Sequence, residues 1–102
     1  MATDGAAGTN WTRPQTLAAL NIYFQVPFGK LHRGNPLIKQ LAQWIGRTPG
    51  AVAMKLGNLA GLDPLIAARG LAGLTGASNL DKVIWTELHD NWDAVALEAA
   101  AE

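Results

Sequence analysis

Apolar residues return every three or four positions along most of this chain, and no stretch alternates every second residue as a strand would. Leu17, Leu20 and Phe24 share one helical face, and Trp11 can fold back over the first turn. Thr12 stands where an N-cap is needed, with Gln15 three residues on as its capping-box partner. Pro27 and Gly29 end this first helix. Asn35-Pro36 opens a second, which carries Leu37, Ile38, Leu41, Trp44 and Ile45. Gly46 can take the left-handed conformation that closes a helix, and Thr48-Pro49 starts the next. That third helix holds Val52, Leu56 and Leu59 on one stripe and ends at Gly61. Asp63-Pro64 starts a short fourth helix to about Arg69. A glycine-rich connection, 70–77, follows, with Leu71 and Leu74 pinned against the core. Ser78 or Asn79 caps a fifth helix whose buried stripe is Leu80, Val83, Ile84 and Leu88, with Trp85 beside it. A restart at Asn91 continues through Trp92, Val95 and Leu97. Val26-Pro27-Phe28 could be extended, but Pro27 makes it an edge at best.

The pattern predicts an all-α fold, a small bundle of five or six short helices containing a helix-turn-helix over 36–60. Residues 1–9 read as a flexible leader without the basic start and apolar block of a signal peptide, 10–98 as one helical domain, and 99–102 as a frayed end. At 102 residues and 49% apolar, with four tryptophans, the chain can bury one core unaided. It has no cysteine, which rules out disulfides and thiolate metal sites and suits a reducing cytoplasm. No apolar run approaches the length of about 20 residues that spans a bilayer.

Net charge is zero, which speaks against a nucleic-acid partner until its distribution is considered. From Gly5 to Leu62 there is no acid, while Arg13, Lys30, Arg33, Lys39, Arg47 and Lys55 are basic. From Asp63 onward Asp81, Glu87, Asp90, Asp93, Glu98 and Glu102 face only Arg69 and Lys82. A surface polarised in this way can hold phosphate whatever the total.

The second helix of a helix-turn-helix can lie in a DNA major groove. Here that is helix 49–59, whose other faces carry the small residues Gly50, Ala53 and Gly57 together with Met54, Lys55 and Asn58. Small residues let a backbone approach closely. Asn pairs with adenine, and Lys or Arg with guanine or phosphate. Arg47 and Thr48 stand at the helix N-terminus, where amides favour anions. Lys30, His32 and Arg33, in the loop before helix two, suit backbone phosphates. Each reading has a plainer counterpart: a helical hairpin in a bundle, and a solvated basic loop. Tyr23, Phe24, Phe28 and Trp44 could stack an extruded base, but aromatics at helical spacing in so small a domain read first as core. His32 and His89 sit on different elements without metal-ligand spacing, and no nucleophile accompanies His89-Asp90. The residues therefore imply no catalytic group, metal or cofactor.

Three blocks resemble a known family. They are Asn10–Arg13 with Ala19–Pro36, then Gly46–Leu56 with Asn58–Ala60 and Leu62–Pro64, then Arg69-Gly70, Gly73-Leu74, Ala77-Ser78, Trp85 and Asn91-Trp92. Over about residues 10–98 the chain is similar to the N-terminal domain of bacterial HNH endonucleases and restriction-endonuclease proteins. That resemblance implies a DNA-recognition module that precedes a nuclease domain. The His-Asn-His site itself is not in this sequence, so the chain is expected either to be the recognition part of a nuclease or to stand alone. The expected partner is double-stranded DNA, including modified DNA as a family trait, in the setting of restriction of foreign DNA. Two rivals remain open. One is a small transcriptional regulator, a homodimer through its C-terminal helices and Trp92. The other is a helical protein-interaction module.

Overall fold

The computed structural model describes residues 10–90 together with Glu98 and Ala100. Five α-helices are found among them: α1 (Arg13–Tyr23), α2 (Pro36–Ile45), α3 (Pro49–Leu62), α4 (Pro64–Ala68) and α5 (Asn79–Asp90), with a short 3-10 turn at Phe28–Lys30. No described residue is in a strand, so the all-α class is observed. The expected leader at 1–9, the restart at Asn91 with Trp92, and all of 99–102 except Ala100 lie outside the described residues.

Each helix starts where local chemistry satisfies its orphan amides. Thr12 Oγ1 accepts from Gln15 N at 3.3 Å while Gln15 Oε1 accepts from Thr12 N at 3.1 Å, the reciprocal box. Asn35, Thr48 and Asp63 accept from Leu37 N, Ala51 N and Leu65 N at 2.9, 3.1 and 2.9 Å. Each is followed by a proline at the first helical position, whose missing N–H costs nothing there. Ser78 Oγ accepts from Asp81 N at 3.1 Å and Asp81 Oδ2 from Ser78 N at 3.0 Å, a second box. Such caps contribute about 1 kcal/mol each. Gly46 closes α2 in the left-handed region at φ 73°, so the chain turns within Gly46–Thr48 into α3.

The core lies where α1, α2, α3 and α5 meet, around Leu17, Leu20, Ile38, Leu41, Val52, Leu56, Leu59 and Ile84. α3 is its axis and contacts each of the other four helices. Arg13 ties α1 to the acidic end of the chain through Glu87 at 2.9 Å and Glu98 at 3.0 Å. Its hydrogen bonds hold the Glu98 carboxyl below the usual carboxylate range.

Three expectations are corrected here. Phe24 is 48% exposed and leaves the buried face of α1 to Leu17, Leu20 and Tyr23. α3 does not stop at Gly61 but runs to Leu62, because Asp63 can cap the next helix directly. On α5 the buried stripe is Asp81, Ile84 and Leu88, and Val83 is 52% exposed. A charged residue takes the core position because α3 supplies it with a counter-charge.

Candidate nucleic-acid interface

That counter-charge is Lys55. Its Nζ donates to both Asp81 oxygens at 2.9 Å, and the side chain sits 5.1 Å from the ring of Trp11. Lys55 is 7% exposed and Asp81 fully buried. The expected exposed position of Lys55 is thus wrong, because the stripe Val52, Leu56 and Leu59 fixes only one face of α3. The face carrying Lys55 meets α5 and the N-terminal arm. In the folded domain this ammonium is not available to a phosphate or a base.

The small residues of α3 do admit a close backbone, but it is the chain's own. Leu74 N donates to Gly57 O at 2.9 Å, and Gly76 N donates to Asn58 Oδ1 at 3.1 Å. A Cβ on Gly61 would overlap the Leu74 carbonyl oxygen, and one on Gly73 would come within 2.6 Å of Ala60 C and 2.7 Å of Gly57 O. Residues 73–76 therefore lie in the groove that Gly57 and Gly61 open. Asn58, expected to read bases, instead holds that connection and is half-buried. The sequence signal was real; the ligand is internal.

Arg47 is also turned inward. Its guanidinium donates to Asn10 O at 2.9 Å and to Gln15 Oε1 at 3.1 Å, and lies 4.6 Å from the Trp11 ring centre. Burial pushes its pKa down from the ordinary arginine value. Trp11 does fold back, but over these two cations. Arg47 therefore orients the α2–α3 turn against the start of α1.

The remaining expected residues are on the surface. Thr48 is exposed, Gly50 half-buried, and Met54 61% exposed on the outer side of α3. Lys30, His32 and Arg33 are all exposed. His32 Nδ1 accepts from Gly34 N at 3.2 Å, which leaves the proton of the neutral ring on Nε2 as an outward donor. Phe28 and Leu31, on either side of Lys30, share a groove of about 300 Å³ with Ala53 and Gly57 of α3. Ala72, Gly73 and Leu74 line it too, so the 3-10 turn, the middle of α3 and the glycine-rich connection border one groove. Lys39, one turn into α2 and not among the expected contacts, is exposed as well.

Among the described residues Lys30, Arg33 and Lys39 form no ion pair, whereas Arg13 meets Glu87 and Glu98, and Lys55 meets Asp81. Asp63 is occupied too: Tyr23 Oη donates to it at 2.7 Å and Leu65 N at 2.9 Å.

The suggested aromatic pocket does not form as a unit. Tyr23 is buried and stacks edge-on against Phe24 at 5.6 Å and Trp85 at 6.1 Å. It borders a groove with Phe24 and Phe28, while Trp44 stands outside that groove on α2, 72% exposed. An adjoining, mostly apolar cleft of about 560 Å³ lies between Phe24, Pro64, Leu65, Trp85 and Leu88, with Asp63 and His89 also on its wall. No group of three or more metal-ligating side chains is found among the described residues, and no described helix is long and apolar enough to cross a membrane. Comparisons with protein-family models, with curated proteins and with solved structures gave no match.

Proposed function

We propose that this domain binds double-stranded DNA through the basic turn Lys30–Arg33, the start of α2 with Lys39, and the open N-terminal half of α3. The observation that carries the reading is the run of exposed cations Lys30, Arg33 and Lys39 on the turn before α2 and in its first turn, none of which forms an ion pair among the described residues. Lys30, Arg33 and Lys39 suit phosphates, and His32 adds an outward donor. Thr48, Gly50 and Met54 are the part of helix 49–59 that can approach a groove, since recognition helices contact base edges with their N-terminal residues. Arg47, Lys55 and Asn58 act inside the fold and support this surface without touching the ligand. In the setting that the resemblance suggests, the domain is the recognition arm of an HNH restriction nuclease in a bacterial cytoplasm, and this part of the protein carries no catalysis.

The test is a titration against randomised duplex DNA, unmodified and methylated, at two salt concentrations. Each phosphate contact adds about 0.9 to the slope of log affinity against log salt. A slope of about 3 is expected for Lys30, Arg33 and Lys39 together. Absence of binding to every pool overturns the reading.

A second reading has one specific support, the apolar cleft beside Leu65 and Trp85. It favours a protein partner. Binding of such a partner would be insensitive to salt and unaffected by loss of the basic turn.

A further inference from the structure

We infer that Arg69 is a further phosphate contact, so that the DNA surface runs from the start of α2, over the Phe28–Lys30 turn, to the end of α4. The inference rests on the DNA reading above. Arg69 caps α4, its N–H donating to Leu65 O and Ile66 O at 3.2 Å, which fixes the backbone from which its side chain extends. The residue is exposed and forms no ion pair among the described residues. Together with Pro27 and Phe28 it borders a groove of about 280 Å³. Phe28 also borders the groove shared with Ala53 and Gly57. Phe28, at the start of the turn that carries Lys30, therefore borders both the groove on the middle of α3 and the groove that holds Arg69.

Asp63 lines the same groove and is the acid that would be expected to claim Arg69. It does not. One oxygen accepts from Tyr23 Oη at 2.7 Å and the other from Leu65 N at 2.9 Å, and the carboxylate is held to α1 and α4 instead. Arg69 stands 30 residues beyond Lys39 in sequence, past the acid-free half of the chain, and only the fold returns it to the basic turn. A guanidinium suits phosphate because its planar donors can meet two oxygens at once.

A cation at the end of a short helix could serve only the helix, so the experiment reads salt dependence as well as stability. Arg69→Gln, Arg69→Lys, Lys30→Gln and Lys82→Gln are compared with the unaltered chain on one duplex over a range of salt, with thermal melts of each. Arg69→Gln should lower the salt slope by about 0.9, with its melting temperature unchanged, and Arg69→Lys should restore the slope. Lys82→Gln, an exposed position on α5, should leave the slope where it was. If Lys30→Gln lowers the slope and Arg69→Gln does not, the extension to α4 is overturned while the DNA reading stands. If the unaltered chain binds no duplex, both fall together.

Discussion

Lys55 Nζ lies 2.9 Å from both carboxylate oxygens of Asp81, and this pair locks α3 to α5 inside the fold. Asp81 also accepts from Ser78 N, so one buried carboxylate serves both the ion pair and the start of α5. Removing one partner of a buried pair leaves the other charged and unmatched.

Lys55→Ala should therefore lower stability by about 3–5 kcal/mol, read as a shift of the urea midpoint. Lys55→Met combined with Asp81→Asn should recover part of that loss, because no lone charge is left in the core and the amide oxygen introduced at position 81 can still accept from Ser78 N. A Lys55→Ala domain within about 1 kcal/mol of the original, against the range of 3–5 for such pairs, would contradict the burial of the pair.

Tyr23 is the only tyrosine in the chain, so phenol absorbance reports it alone. Burial first, then the hydrogen bond and charge of Asp63, push its pKa well above the ordinary value of about 10. A raised pKa means that this contribution to stability is fully present below the unfolded value and fades as pH climbs above it. Phenolate absorbance should rise only as the domain unfolds in alkali. Reversible ionisation near pH 10 with the helical signal intact would contradict the Tyr23–Asp63 contact.

Gly73 offers a backbone test of the packing under α3. Gly73→Ala would force the Gly73–Gly76 segment off Gly57 and Ala60 and should cost about 1–3 kcal/mol. Gly29→Ala has nothing within 4 Å and should be close to neutral. Equal melting temperatures for the two variants would show that the connection does not rest in the α3 groove.

Much of the fold can be read locally. Thr12, Asn35, Thr48 and Asp63 cap helices because the chemistry of a cap lies within three residues, and Gly46 closes α2 for the same reason. The site is less legible because its decisive contacts span long separations. Asp81 is 26 residues from Lys55, and Arg47 is 37 from Asn10. Nothing near Lys55 reveals that a carboxylate waits for it, so an apolar stripe on one face left the lysine to be read as outward. Val83 is exposed and Asp81 buried on α5 because the position facing α3 is the one that meets Lys55, a contact that apolarity alone does not reveal. Lys30, His32 and Arg33 kept their expected exposure because a short loop punctuated by Pro27, Gly29 and Gly34 buries little.

The measurement closest to the central claim is the salt dependence of duplex binding by a Lys30→Ala/Arg33→Ala double variant beside the unaltered chain. The account predicts that the unaltered domain binds with a salt-sensitive affinity and that the variant, equally stable, loses about 2 units of slope. Binding with an undiminished slope would move the phosphate contacts away from this turn and contradict the account.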